Sequence, residues 1–265
     1  MLLHDYLHSY NRTHDLKPST LAHYHWVIRS YERHNGHQRT SDLSADAVTD
    51  WLQWLKAHGR SPWTIKQRRI SLLVLWRAAW RDGLAPPVGE PLRLRPLHHA
   101  PTAWTRSEVK RLIAVAKDRG PFWESLVRAG YDSGLRLGDL LALDVADIRL
   151  GLISVQQAKT DRPVYCRLRR ATLRAIRRQL GGRTAGLVWP WPHRRECIYA
   201  HVRKLVATAA IRPGTFRWLR RSAATACERI APGSGTTLLG HASRSTTEAW
   251  YLDRSQLTRP PLPPL

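Results

Sequence analysis

Cysteine and long apolar stretches are scarce in this chain of 265 residues. The three cysteines, Cys166, Cys197 and Cys227, are scattered without a Cys-X-X-Cys pair, which argues against both a disulfide framework and a zinc site. No apolar run approaches the roughly 20 residues that cross a bilayer, and the first residues lack the basic flank and apolar core of an export signal. The sequence therefore predicts a cytoplasmic protein with no metal site and no membrane partner.

Acidic residues are few beside basic ones. Twenty Asp and Glu stand against 43 Lys and Arg, which gives a formal net charge of +23. Like charge of this density repels itself in a compact domain, and a polyanion relieves the repulsion. Nucleic acid is the most common such partner, because each neutralised phosphate releases condensed counterions. Ribosomal and membrane-surface proteins share this balance, so charge alone indicates a partner class and no chemistry.

Residues 1–85 show helical spacing only. Pro18 followed by Ser-Thr indicates one helix start, Ser44 a second and Ser61-Pro62 a third, and apolar residues recur after each at intervals of three and four. The second and third helices each end at a glycine. This pattern predicts a small helical bundle as the first domain.

Proline divides the rest of the chain. Residues 86–101 contain five prolines and can form neither a helix nor a central strand, so we expect a semi-rigid linker. A capping box of Thr105 and Glu108 begins the helices of a second domain, residues 102–257. The proline-rich residues 258–265 predict a disordered tail.

The second domain is helical except for one change of period. The runs 152–155 and 163–168 alternate as short β-strands do, and the turn-like Lys159-Thr160-Asp161-Arg162 separates them. A hairpin is predicted there with Lys159 at its tip. The predicted fold class is therefore mainly α with a small β-hairpin or sheet, an α+β catalytic domain.

Breaking a DNA phosphodiester without a metal needs a nucleophile, fixed cations on the phosphate oxygens and an acid for the leaving oxygen. Arginine suits the cation role, because its planar fork holds two oxygens and keeps its proton. The chain offers such groups in the order Ser133-Gly134-Leu135-Arg136, Lys159, Arg217-Trp218-Leu219-Arg220, Leu239-Gly240-His241 and Tyr251. Each residue alone fits an ordinary surface or packing role, and only their joint order indicates an active site.

This set resembles the signature of the tyrosine recombinase (phage integrase) family over about residues 105–255. Residues 1–85 resemble the family's SAM-like core-binding domain. The resemblance implies a site-specific recombinase or integrase that cleaves and rejoins double-stranded DNA through a 3′-phosphotyrosine. It also implies that four copies act on paired DNA sites in the nucleoid, with no cofactor and no small-molecule substrate.

The resemblance assigns a role to each matching residue. In chain order, Arg136 and Arg220 hold the phosphate oxygens, Asp139 orients the neighbouring cations, Lys159 protonates the leaving 5′ oxygen, His241 hydrogen-bonds the phosphate, and Tyr251 attacks it. Further DNA contacts are expected from the basic residues Lys66, Arg68, Arg69, Arg93, Arg95 and Arg221. For Arg221, a solvated surface charge is an equal alternative.

Two positions depart from the family's pattern. Arg217 stands where the family has a second histidine, and an arginine cannot accept a proton, although it can still donate to a phosphate. Trp250, not Tyr251, has the usual nine-residue spacing from His241. These departures keep open a second hypothesis, a catalytically impaired protein that binds DNA by sequence. Charge and tryptophan content alone leave a third, an RNA-associated basic protein.

Overall fold

The computed structural model describes residues 1–36, 39–96, 100–158 and 160–257, and of Arg195 the backbone alone. By its internal contacts the chain divides into two compact units, Met1–His98 and His99–Leu265. We call these unit 1 and unit 2 and describe each by itself. The predicted tail, residues 258–265, lies outside the described residues.

Unit 1 is built from helices. In chain order they are α1 (Leu3–His14), α2 (Pro18–Asn35), α3 (Ala45–Ala57) and α4 (Pro62–Arg81). The three predicted starts are confirmed, and the hydroxyls of Ser44 and Ser61 accept backbone N–H groups of α3 and α4. The sequence did not predict α1, because its cap residue Leu2 makes no side-chain bond.

The proline-rich segment packs along unit 1. The indole of Trp76, buried in the core, donates to the carbonyl of Pro86 at 2.9 Å. Arg69 Nη2 donates to the carbonyl of Pro91 at 3.2 Å, and the N–H of Leu92 donates to Thr49 Oγ1 at 3.0 Å. Hydrogen bonds to helix side chains therefore hold this segment in place along part of its length.

Unit 2 is mainly helical with one small sheet. Its helices are α5 (Arg106–Arg119), α6 (Pro121–Ser133), α7 (Leu137–Leu141), α8 (Arg170–Leu180), α9 (Arg195–Thr208), α10 (Phe216–Ile230), α11 (Ser234–Leu239) and α12 (Arg244–Trp250). Its strands are β1 (Ile148–Arg149), β2 (Leu152–Gln157) and β3 (Arg162–Arg167). The predicted fold class is confirmed. The short helices α11 and α12 and the two-residue β1 were not predicted.

The sheet is antiparallel in the order β1-β2-β3, and Val155 pairs with Val164. The predicted hairpin is confirmed as β2 and β3, while Lys159 lies outside the described residues. Beneath it, α5, α6 and α10 pack around a core that includes Leu126 and Leu219, both fully buried. No helix among the described residues is long and apolar enough to cross a membrane.

Candidate active site

The turn at Gly134 orients Arg136. Helix α6 ends at Gly134, whose φ of +61° lies in the left-handed region and whose added Cβ would meet Leu239 at 3.1 Å. Arg136 follows as the cap of α7, and its Nη1 donates to Gln157 Oε1 at 2.6 Å. The nearest Asp139 oxygen is 3.7 Å away. The guanidinium is therefore held chiefly by a neutral amide.

Arg220 lies on the inner face of α10 and is 2% exposed. It donates to the carbonyl of Gly134 and, at 3.1 Å each, to the carbonyl of Leu239 and to His241 Nε2. Burial, reinforced by the charge of Arg136, lowers the pKa of Arg220 to about 10. The group therefore stays cationic at neutral pH, although it forms no ion pair with a carboxylate of the described residues.

Hydrogen bonding fixes the tautomer of His241. Arg220 Nη2 can only donate, so His241 Nε2 must accept, which leaves the proton on Nδ1. That nitrogen lies 2.9 Å from the hydroxyl of Thr247 on α12, which is fully buried. Burial, together with the charges of Arg220 and Arg136, lowers the pKa of His241 to about 4. The imidazole is therefore neutral at physiological pH.

Tyr251 directly follows α12 among these groups. Its ring centroid lies 4.7 Å from that of His241, 5.2 Å from the guanidinium carbon of Arg220 and 5.4 Å from that of Arg217. Burial alone would raise the pKa of the phenol. The charges of Arg220, Arg217 and Arg136, with a hydrogen bond to Arg220, outweigh burial and lower it.

The spacing question at Trp250 and Tyr251 has a structural answer. The phenol of Tyr251 is the side chain that lies against the arginines. Trp250 offers its backbone carbonyl to Arg221 Nε at 3.1 Å. Tyr251 lies just past the last residue of α12 and has left the helical conformation, with φ −128°.

The structure thus brings together most of the predicted catalytic residues. A cleft of about 540 Å³ is lined by Arg136, Asp139, Arg217, Arg220 and Tyr251, with His241 against its tyrosine. Lys159 lies outside the described residues. Its neighbour Ala158 lines the same cleft and donates its N–H to Asp139 at 3.3 Å. The described part of the chain holds no group of His, Cys, Asp and Glu that could bind a metal.

The predicted DNA contacts of unit 1 differ in exposure. Arg68 is only 3% exposed and stacks on Trp26 at 3.4 Å, so in this structure it does not offer the exposed phosphate contact that was expected. Lys66 is half-buried near the ring of Trp63. Arg69 is bonded to the proline-rich segment, as described above.

The remaining predicted contacts lie in the proline-rich segment and on α10. Arg93 and Arg95 are exposed, and Arg93 pairs with the exposed Glu90 at 2.7 Å. Arg221 is half-buried and donates to the carbonyls of Trp250 and Thr102. Exposure therefore favours Arg93 and Arg95 over Arg221 as phosphate contacts.

Two site residues were missed from the sequence, Gln157 and Thr247. Gln157 shares the buried face of β2 with Ile153, and a polar residue on that face was a usable signal. Thr247 gave no such signal, because the helix that buries it was not predicted. The backbone carbonyls of Gly134 and Leu239, which accept from Arg220, could not be predicted from the sequence, because every residue has a carbonyl.

Comparisons with known proteins agree on one family. The model of the phage integrase family matches residues 103–257. Tyrosine recombinase XerD of Caulobacter vibrioides is 29% identical over 253 residues, which cover 84% of this chain and 81% of that protein. Tyrosine recombinase XerA of Thermococcus kodakarensis is 31% identical over 144 residues, which cover 54% and 48%.

Solved structures show the same fold. A lambda integrase tetramer bound to a Holliday junction matches with a TM-score of 0.79 at 21% identity, over 96% of this chain and 78% of that chain. The family model covers more than half of the chain and includes each arginine, the histidine and the tyrosine of the cleft. This chain therefore belongs to the phage integrase family and is an enzyme of the tyrosine recombinase type.

Proposed function

We propose that this chain cleaves and rejoins double-stranded DNA at specific sites, with Tyr251 as the nucleophile that forms a 3′-phosphotyrosine. The observation that carries the proposal is the setting of its phenol, half-buried against two guanidinium groups that lower its pKa. A tyrosine that only packs gains nothing from a lowered pKa. A nucleophile does, because only the deprotonated oxygen attacks phosphorus readily.

Arg136 and Arg220 bind the non-bridging oxygens of the scissile phosphate. Their hydrogen-bond partners include an amide, two carbonyls and an imidazole, which direct the guanidinium groups and are all neutral. Asp139 compensates part of the charge of Arg136 from 3.7 Å. Charge that gathers on the phosphate oxygens in the transition state is stabilised by such fixed donors. Arg217 adds a third cation near the phenol. It favours the tyrosinate by its charge, and it does not act as a base because an arginine cannot accept a proton.

The remaining groups complete the proposed reaction. Lys159, between β2 and β3 in the sequence, protonates the 5′ oxygen as it leaves, and Asp139 orients Arg136. The phenol of Tyr251 gives its proton to solvent, and the bond from Tyr251 Oη to phosphorus then forms as the bond from phosphorus to the 5′ oxygen breaks. Rejoining reverses these steps. Neutral His241 accepts from Arg220 at Nε2, and a shift of its proton from Nδ1 to Nε2 lets it donate to the phosphate instead.

Duplex DNA is the proposed substrate, and four copies on paired sites are the proposed assembly. Similar solved structures show lambda integrase as a dimer bound to a core site and as a tetramer bound to a Holliday junction. The net charge of +23 supports a polyanionic partner. We propose residues 1–85 as the core-binding domain and residues 102–257 as the catalytic domain.

The test is to trap the covalent intermediate. A library of duplexes with a randomised central segment and a nick on one strand lets the cleaved end diffuse away, so an adduct accumulates. We expect wild-type protein to yield DNA that migrates with protein on denaturing gels, and sequencing of that DNA to identify the site. Tyr251→Phe should trap none.

Trp250→Phe is the matched control, since it changes the neighbouring aromatic residue. We expect it to keep most of the adduct formation. An adduct that forms equally well with Tyr251→Phe would overturn the assignment of the nucleophile. Specific binding without any adduct would favour the hypothesis of an impaired DNA-binding protein.

A further inference from the structure

Gln157 is a buried amide that precedes Ala158, a residue of the cleft lining, in the chain. It is the last residue of β2, where it pairs with Arg162 of β3, and its exposure is 0%. Burying an amide costs free energy unless its polar atoms find partners. Both atoms of this amide do, and the partners belong to the candidate site.

The amide contacts one arginine directly and the other through a shared carbonyl. Oε1 accepts from Arg136 Nη1 at 2.6 Å and from Thr160 Oγ1 at 2.9 Å. Nε2 donates to the carbonyl of Leu239 at 3.1 Å, and Arg220 Nη2 donates to that same carbonyl at 3.1 Å. The side chain of Gln157 thus connects Arg136 and Arg220, through hydrogen bonds, to Thr160 in the turn after β2.

A neutral side chain has an advantage at this position. A carboxylate would hold Arg136 more tightly, but it would cancel the charge that a phosphate needs. It could also not donate to the carbonyl of Leu239, which would then face another oxygen. The carboxylate of Asp139, 3.7 Å from Arg136 Nη1, is beyond hydrogen-bonding distance but forms an ion pair with this guanidinium. A second carboxylate at position 157 would compensate the charge of Arg136 further.

We infer that Gln157 is a positioning residue that fixes Arg136 beside Arg220 while leaving both arginines charged for the scissile phosphate. This inference rests on the proposed function. The residue touches no reacting atom itself. Its effect must therefore appear in how the enzyme handles the charge of the phosphate.

Gln157→Met keeps the size of the side chain and removes its polar atoms. We expect single-turnover cleavage of the nicked duplex to slow about 10- to 100-fold, as for loss of a hydrogen bond to a charged group. Gln157→Glu keeps the shape but adds charge, and we expect it to slow cleavage at least as much.

The decisive measurement replaces the scissile phosphate by a methylphosphonate, which lacks the negative charge. A neutral phosphorus centre depends less on fixed cations, so the deficit of Gln157→Met should shrink severalfold on this substrate. The ratio of the two rates is taken within one protein, so the folded fraction cancels. Gln156→Met is the matched control, because Gln156 is exposed and bonds Asp161 in the same turn. We expect its ratio to equal that of the wild type.

The outcomes separate the two proposals. An equal deficit of Gln157→Met on both substrates means a structural role, and the inference is then wrong. The inference also fails if the wild type forms the adduct and Gln157→Met forms it as fast. If the wild type forms no covalent adduct with DNA, the proposed function is wrong, and the inference, which rests on it, is wrong as well.

Discussion

Two buried arginines, one in each unit, are held by different means. Arg68 in unit 1 is 3% exposed and Arg220 in unit 2 is 2% exposed. Burial lowers the pKa of each guanidinium to about 10, and neither has an ion pair among the described residues. Arg68 stacks on Trp26, whereas Arg220 donates to two carbonyls and an imidazole.

The difference lies in what the contacts direct. An aromatic ring stacked against a guanidinium stabilises the cation, but it does not fix the directions in which the N–H groups donate. Carbonyl acceptors fix those directions and leave the charge intact. A third arrangement, Arg212 with Glu108, fixes direction and cancels charge as well. Of these three arrangements, that of Arg220 both orients the cation and leaves its charge uncompensated, which is what a reacting phosphate requires.

The largest effect is expected from Arg220→Lys. An ammonium group cannot reach the carbonyls of Gly134 and Leu239 and His241 together, and it has no planar fork for a phosphate. We expect single-turnover cleavage to slow about 100- to 1000-fold, as for loss of a preorganised charge donor. Arg229→Lys, an exposed change on the same helix, should leave the rate unchanged. If Arg220→Lys also leaves it unchanged, orientation is not what Arg220 supplies.

The ion pair of Arg212 with Glu108 should affect the stability of the fold and not the rate of DNA cleavage. Two side-chain hydrogen bonds from Arg212, at 2.8 and 2.9 Å, hold the carboxylate of Glu108. The bonding of Arg212 lowers the pKa of Glu108 from 4.5 to about 2. The stabilisation is therefore fully present above pH 4.5 and is lost as the pH falls towards 2. Because Arg212 is 44% exposed, we expect Glu108→Gln to cost about 2 kcal/mol at pH 7, less than the full pKa shift implies.

Urea unfolding at pH 7 and near pH 3 measures this cost. The difference between Glu108→Gln and wild type should narrow at the lower pH. Glu90→Gln is the control, since its pair with Arg93 is exposed on both sides and exposed pairs contribute little. A cost that stays the same at both pH values would mean that the charge of Glu108 does not stabilise the fold.

Local chemistry explains which parts of the fold could be predicted. Ser44, Ser61 and Thr105 each cap a helix with their own hydroxyl, so the starts of α3, α4 and α5 follow from single residues. No side chain caps α11 or α12. These short helices depend on packing against the rest of unit 2, through residues such as Leu239, and packing is not visible in a local pattern.

The site divides in the same way. Residue types and their order were sufficient to select Arg136, Arg220, His241 and Tyr251. The acceptors that direct Arg220 include backbone carbonyls, which every residue has, so no sequence pattern marks them. Tyr251 was selected although Trp250 has the usual spacing from the histidine, and the sequence could not show that Tyr251 lies just past the end of α12.

Arg217 allows a smaller test, because it acts on the phenol by charge and is exposed. Its charge contributes to the lowered pKa of Tyr251, after that of Arg220. Arg217→Ala should raise that pKa, so less tyrosinate forms at pH 7 and cleavage slows about fivefold, as for loss of one near-surface charge. The deficit should shrink as the pH rises above 7, because the fraction of tyrosinate then increases in both proteins.

Arg217→Lys keeps the charge and serves as the matched control, which we expect to follow the wild-type pH profile. A deficit of Arg217→Ala that is the same at pH 7 and pH 9 would show that Arg217 acts by contact and not through the pKa of the phenol. Deficits in both variants at every pH would instead point to a contact that needs the guanidinium fork.

The smallest effect is expected at the other buried arginine. Arg68→Met keeps an unbranched side chain over Trp26 and removes a cation without an ion pair, so stability should change by less than about 1 kcal/mol. Because Arg68 is 3% exposed, binding to a random-sequence duplex should keep its salt dependence. Lys66→Met, which removes a half-buried cation of the same helix, should lower the slope of log affinity against log salt by about 0.9 if Lys66 contacts one phosphate. The same decrease for Arg68→Met would show that its guanidinium reaches DNA after all, and that stacking on Trp26 is the resting position of a mobile contact.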